Sequence, residues 1–396
     1  MGSQGRQVTV GDFKPGSKEW AYVNRVMLSG RLSYGPFSKA FEELWAKEHD
    51  SKFAVFCNSG TSALHIALQA LKELHGWKDG DEVLVPATTF VATANVVIHN
   101  NMVPVFVDVD PYTYNIDTMK LFEACTERTR AIIPVHLTGQ SAEMPAIANF
   151  AKVKDLRIIE DSCETTFASC AGRKVGSWGD IGCFSTYMAH YIVTGVGGLA
   201  TTSNPDVAVK LRSLMNHGRD GIYLSIDDDD GLTGDKLKEV IDRRFKFTSI
   251  GHSFRCTELE AAIGLAQLER KDEIVSARKG IATKYLTGLD DLQDVLQLPR
   301  VAYQCEHVYM MFPMVCLRAG DKPKLTQYLE ERGIETRDLL PLVNQPVYCR
   351  YGNLREQNPV ASWLIDNAFY IGCHQYLTDE DVAYVVETIK NFYSRK

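Results

Sequence analysis

An α/β fold on a mostly parallel sheet is what the 396-residue sequence predicts, for two reasons. Short apolar segments alternate with helical patterns over the first half of the chain. Those segments are apolar on both faces rather than on alternate residues, which is how strands read when helices cover both sides of a sheet. Each element follows in order. Residues 19–50 read as helical, with Phe37, Phe41, Leu44 and Trp45 at helical spacing in "SYGPFSKAFEELWAKEH". "FAVFCNSGTSALHIALQALKEL" is a strand, a turn and an amphipathic helix. Then come strand "EVLVPA", a helix from about Val91, strand "VPVFVDVD", helix "TMKLFEAC", strand "RAIIPVHL", helix "EMPAIANFAK" and strands "LRIIEDS" and "DIGCFS". After "GGLATTSNP" the pattern changes. A helix near 205–217 precedes the acidic stretch "SIDDDDGLTGD", read as a solvated loop. "CTELEAAIGLAQLERKDEIVSARKGIATKYLTGL" reads as one long helix leading into a smaller α/β domain. Its strands lie near "VYMMFPMVC" and "IETRDLL", and its last helix is "DEDVAYVVETIKNFY". The expected division is 1–274 for the large domain, N-terminal helical segment included, and 275–396 for the small one.

Composition narrows the function classes. The hydrophobic share of 45%, the charged share of 23% and a formal net charge of −7 describe an ordinary globular protein without a basic block. Nucleic acid is therefore not an expected partner, and any anionic ligand must be held by local donors. "MGSQGRQVTVGDF" has no apolar core segment of the signal-peptide kind. No apolar run approaches the ~20 residues that span a bilayer. Ten cysteines run from Cys57 to Cys373 with no C-x-x-C and no zinc or iron–sulfur spacing. They are read as free thiols in a reducing cytoplasm, with no metal site expected.

Four short stretches carry chemistry. In "CNSGTSALHIAL" a strand end, a turn and a helix start bring backbone N–H groups and the Ser59 and Thr61 hydroxyls to a helix N-terminus. That is an anion site suited to phosphate, although plain helix capping uses the same residues. "RIIEDSCE" puts Asp161 at the C-terminal end of a buried strand, where open α/β sheets bind ligands. Beside a pyridine its charge keeps the ring nitrogen protonated; otherwise it is a cap or an ion-pair partner. "TTFVATAN" offers Phe90 for stacking or for the core. Ser185 ends "DIGCFS", within reach of the same phosphate. His136, ending "AIIPVH", is a substrate-facing or a core histidine. Arg219 and Arg255 are candidates for substrate phosphates or for salt bridges.

In this order, with "SGRLSYGPFSKAFEE", "GDEVLVPATTFVATANVV", "PVFVDVDPYTYNID", "GSWGDIGCFS", "FRCTELEAAIGLAQL" and "LTDEDVAYVVETI", these stretches resemble the DegT/StrS-type nucleotide-sugar aminotransferase family over nearly the whole chain. The resemblance implies the fold-type-I pyridoxal-phosphate architecture, with a seven-stranded core sheet. It implies that Ser59, Gly60, Thr61 and Ser185 hold the cofactor phosphate, that Phe90 stacks on the ring and that Asp161 pairs with its nitrogen. Glu164 stands where such aminotransferases have the glutamine of "EDAAQ". Ser253, in "GHSFR", replaces the asparagine of "GYNYR" that reaches the neighbouring subunit's cofactor. A homodimer with shared sites is therefore expected, with a nucleotide sugar as substrate and L-glutamate as amino donor. Tyr309 and His374 are implied for the sugar pocket.

One position departs decisively. In "GDIGCFSTYMAHYIVTGVGG" the residue at the cofactor-lysine position is His190. Imidazole cannot form the covalent link that an amine forms, but it carries protons near neutrality. Histidine here is similar to the 3-dehydratases of the same family, as are "EDSCE", "AHYIVTGVGG" (with Tyr191 for a second histidine) and "IGCHQ". The resemblance is to the GDP-4-keto-6-deoxymannose 3-dehydratase type, which uses pyridoxamine phosphate. A second, iron–sulfur subgroup needs four cysteines after "HGRD"; "NHGRDGIYLSIDDDD" has none. An aminotransferase with a histidine shuttle and an inactive cofactor-binding relative are the alternatives.

Overall fold

The computed structural model describes residues 6–222, 224 and 228–394. The first five residues and positions 225–227 of the acidic stretch lie outside these; Asp228, Asp229 and Asp230 occupy a turn. The large sheet has seven strands. In chain order its first five are β1 (Phe53–Cys57), β2 (Glu82–Pro86), β3 (Val103–Val107), β4 (Thr129–Ile132) and β5 (Arg157–Asp161). A two-residue hairpin follows, β6 (Ser169–Cys170) and β7 (Arg173–Lys174), and then β8 (Ile181–Ser185) and β9 (Gly198–Thr202). The spatial order is β1-β9-β8-β5-β4-β2-β3. Only β9 runs against its neighbours, so β1, β5 and β8 end at the same edge. Strands β2 and β8 are buried along their whole length, as their uninterrupted apolar runs require.

A second, antiparallel sheet is formed by β10 (Leu296–Gln297), β11 (Met311–Cys316), β12 (Thr336–Asp338) and β13 (Ala368–Gly372), in the order β10-β11-β13-β12. Its core contains Phe312, Phe369 and Ile371, and also Val8 from the other end of the chain. Val8 donates to the Gly333 carbonyl (2.8 Å) and accepts from Glu335 N (2.9 Å). The N-terminal strap thus packs on the C-terminal sheet, although the expected division grouped it with the large domain. The 274/275 boundary itself falls inside helix Lys271–Gly288.

Two expected helices are each broken in two. Residues 19–50 form α1 (Ser17–Ser29) and α2 (Pro36–Glu48). Gly30 ends α1 in the left-handed region (φ 67°), and Pro36 starts α2 at a position where a missing N–H costs nothing. The long helix is Glu258–Leu268 followed by Lys271–Gly288. At the break Glu269 accepts from Tyr22 and Arg270 pairs with Glu19, so both side chains are committed to α1.

The N-terminus of α2 is closed from a distance. Glu258, 1% exposed, accepts from the backbone N–H of Gly35 (2.9 Å), Phe37 (2.9 Å) and Ser38 (2.8 Å). These are the orphan donors of a helix start. Glu258→Ala is expected to lower unfolding free energy by about 3 kcal/mol or more, since each abandoned buried donor costs roughly 1–3 kcal/mol. Urea denaturation checks this, with Glu258→Gln recovering part of the loss. An unchanged midpoint would show that water replaces the carboxylate.

The free-thiol expectation is corrected at one pair. Cys170 and Cys305 form a disulfide, because an isolated antiparallel bridge sets them opposite each other with Cα atoms 4.0 Å apart. They are 135 residues apart in sequence, so no spacing announces them. The other cysteines are free. No helix among the described residues is long and apolar enough to cross a membrane.

Candidate active site

A cavity of about 430 Å³ opens where β1, β5 and β8 end, and residues of the C-terminal sheet close its other side. Helix α3 (Gly60–His75) begins here. Ser59 is its N-cap, with Oγ accepting from Ser62 N at 3.0 Å, so this hydroxyl is already used in capping. Gly60 and Thr61, in the first turn of α3, line the cavity together with Ser185. Backbone packing leaves no room for side chains at this point. A Cβ on Gly60 would sit 2.7 Å from Cys163 Sγ and 2.8 Å from Ser185 Cβ. One on Gly198 would meet Gly60 N at 2.4 Å. The result is a cradle of donors at a helix N-terminus, the arrangement that binds phosphate.

Asp161 ends β5 and is 5% exposed. Its Oδ2 accepts from Thr93 Oγ1 (2.8 Å), which is itself paired with Thr89 Oγ1 (2.8 Å); Oδ1 accepts from Cys163 N (3.2 Å). Burial pushes the carboxyl up, and these donors pull it back. A cationic pyridinium set against it would reverse the burial effect. Phe90 is not a core residue. It caps α4 (Val91–His99) and stands 58% exposed on the cavity rim, where a flat aromatic ligand can stack. Glu164 lines the cavity with a single donor, Thr138 N (3.1 Å), on its carboxylate. Burial pushes it up to about 7, with Asp161 adding repulsion, so near neutrality it exchanges between acid and carboxylate.

His190 lines the same cavity. Its Nδ1 lies 3.2 Å from the Tyr187 carbonyl oxygen. A carbonyl only accepts, so Nδ1 carries the proton and Nε2 keeps a free lone pair. Burial in the protein pushes the imidazole down to about 4, a shift that Arg278 reinforces and the Tyr187 carbonyl opposes. The residue as a whole is only half-buried. At neutral pH it is an uncharged base. Among the described residues no lysine lines the cavity.

Six candidates lie elsewhere. His136 is a core residue and not a substrate contact. It is fully buried, accepts from Ala142 N at Nδ1 (3.0 Å) and donates from Nε2 to Glu160 (3.0 Å). Tyr309 turns away from the cavity with φ 53° and stacks on His307 at 3.9 Å, although its neighbours Met310 and Met311 do line the wall. His374, 2% exposed, lies against Thr9 O (3.1 Å) in the N-terminal strap. Arg219, Ser253 and Arg255 share a second cavity of about 520 Å³, where Arg255 donates to Ser253 Oγ at 3.0 Å. Sequence reasoning passed over Thr93, Cys163, Tyr187 and Tyr370, which join the site. Among them Thr93 alone had a local signal, three residues after Phe90 in "TTFVAT". Among the described residues no cluster of three or more His, Cys, Asp or Glu side chains is placed to hold a metal ion.

A mostly parallel α/β sheet, a helix N-terminus suited to phosphate at α3 and a buried aspartate at the end of β5 define the fold-type-I architecture of pyridoxal-phosphate enzymes. The chain belongs to the DegT/DnrJ/EryC1/StrS aminotransferase family, whose profile matches residues 14–390. It is 35% identical over 363 residues, 90% of each chain, to a GDP-perosamine synthase of Caulobacter vibrioides. It is 31% identical over 380 residues, 92% of this chain and 82% of the other, to a dTDP-4-dehydro-2,6-dideoxy-D-glucose 3-dehydratase of Saccharopolyspora spinosa. The solved structure of E. coli GDP-4-keto-6-deoxy-D-mannose-3-dehydratase with bound hydrated PLP is similar with a TM-score of 0.87 at 25% identity, covering 97% of this chain and 100% of that one.

Proposed function

We propose that this pyridoxal-phosphate family member is a nucleotide-sugar 3-dehydratase, removing the C-3 hydroxyl of a 4-keto-6-deoxy hexose with His190 as acid and base. One observation carries the reading: an imidazole with a free Nε2 faces the cavity and, among the described residues, no lysine does. The residues present fit the cofactor. The α3 N-terminus with Ser185 would hold its phosphate, Phe90 would cover the ring and Asp161 would meet the ring nitrogen. Bound as pyridoxamine phosphate, the cofactor supplies an amine for the keto carbon and a conjugated ring that takes up electrons. With no covalent tether available, these contacts alone retain it. Nε2 of His190 removes a proton from a carbon in the cavity, and the resulting imidazolium returns it to the departing hydroxyl. Glu164 stands ready as a second exchangeable proton. The net change is loss of the hydroxyl as water and release of ammonia, with L-glutamate restoring the amine. We further propose a homodimer in which Ser253 and Arg219 serve the partner's site.

The test uses pyridoxal phosphate and L-glutamate, followed by GDP-4-keto-6-deoxymannose. The expected result is 2-oxoglutarate in the first stage and ammonia with a 3-deoxy sugar in the second. An amino sugar that retains the nitrogen would overturn dehydration. It would favour the second reading, a sugar aminotransferase, which the similarity to GDP-perosamine synthases supports. Binding without either product would leave an inactive relative.

A further inference from the structure

We infer that Arg278 is a positioning residue for His190, a buried guanidinium that ties the imidazole's backbone to the C-terminal sheet. The inference deepens the reading of His190 as proton carrier and rests on it. Arg278 lies in helix Lys271–Gly288 and is 1% exposed. Its Nη2 donates to the carbonyl of His190 (3.1 Å), and Nη1 to those of Met310 (2.8 Å) and Cys373 (3.3 Å). Nε donates to Gln375 Oε1 (3.1 Å), and the guanidinium covers the Tyr191 ring at 4.7 Å. Among the described residues no carboxylate pairs with it. A buried charge is costly unless its hydrogen bonds are met, and here backbone oxygens, one amide and a ring face meet them.

The location gives this cation its role. His190 and Met310 both line the cavity and come from segments far apart in the chain, so one side chain fixes two walls. His190 lies between β8 and β9 in turns and bends, without a ladder of its own. A rigid five-donor fork can hold carbonyls from three segments at once; an ammonium cannot do so with the same geometry. Other titratable groups also line the cavity, namely Asp161, Cys163 and Glu164 after β5, Tyr187 beside the ring and Tyr370 from β13. Arg278, behind this wall and not part of the lining, is a fixed positive charge, and its field favours the neutral imidazole.

The experiment compares Arg278→Met and Arg278→Lys with the parent protein loaded with cofactor. Turnover is measured by the ammonia assay. The His190 titration is followed by NMR with 13Cε1-labelled histidine, assigned by His190→Asn. For Arg278→Met, kcat is expected to fall about 10–100-fold with KM within about threefold, the signature of a misplaced reacting group. Its imidazole midpoint is expected to rise as the neighbouring charge is lost. Arg278→Lys keeps the charge, so its midpoint is expected to stay at the parent value while kcat recovers only in part. Parental kcat and midpoint in Arg278→Met overturn the inference. Should that variant not fold, Arg278→Lys with full kcat overturns it instead. His190→Asn separates the two readings. If it keeps full turnover, the acid–base reading fails, while a shifted midpoint still supports the placement of the ring by Arg278.

Discussion

Replacing His190 with asparagine is expected to cut turnover by about 10²–10⁴-fold while cofactor affinity stays within a few-fold. The two effects separate because different atoms carry them. Retention of the cofactor is assigned to the α3 N-terminus, Ser185, Phe90 and Asp161, none of which depends on the imidazole. In the proposed reaction proton transfer depends on Nε2, left free because Nδ1 is spent on the Tyr187 carbonyl. Asparagine fills similar space and still bonds that carbonyl, but its amide has no proton affinity near neutrality. Cofactor retention is read by absorbance after gel filtration and turnover by ammonia release. Loss of both together would make His190 a structural residue.

The cofactor-free protein is expected to lose stability steeply between pH 7 and pH 5. His49 and His307 are pushed down to about 3 and His374 to about 4, in each case chiefly by burial. All three are nearly inaccessible, at 0%, 6% and 2% exposure. The sign follows from linkage. Their folded-state values lie below the unfolded value of about 6.5, so the unfolded chain binds more protons in that interval. Stability is complete above pH 6.5 and is lost as pH falls toward 4. At pH 5 each contributes a loss of about 2 kcal/mol. Glu164 works in the opposite sense, because its folded value of about 7 lies above the unfolded one, and it returns about 2 kcal/mol over the same interval. For these four groups the net loss is about 4 kcal/mol, a large part of an ordinary folding free energy, and His190 and His65, both pushed down to about 4 by burial, add to it in the same sense. Urea titrations at the two pH values measure it, and His49→Phe is expected to flatten the slope. Equal stability at both values would mean that these rings admit water or charge in place.

The sheet and the heart of the site were legible because their signals are local. A doubly apolar run marks a buried strand, and a serine–glycine–threonine turn marks an anion-binding helix start. Each needs only a few adjacent residues, and Gly60, Asp161, Ser185 and His190 fall into one cavity for that reason. What the sequence hid depends on distant partners. The break at Glu269 and Arg270 is set by Glu19 and Tyr22, far up the chain. His136 looked free to face a ligand until Glu160 on the adjacent strand took its Nε2. Arg278 sits in an unremarkable amphipathic helix, and its importance lies in three carbonyls that no pattern encodes. Cys170 and Cys305 likewise meet only through tertiary pairing.

The strap at Val8 has a consequence for how the chain is made. Val8 has its docking groove between Gly333 and Glu335, which leave the ribosome long after it does. The strap must wait undocked until that groove has been made, and the loop it closes spans the whole large sheet, a slow kind of contact to form. Sealing of the C-terminal sheet edge is therefore a late event in maturation, and a bulky fusion placed ahead of Val8 would burden that step before any other.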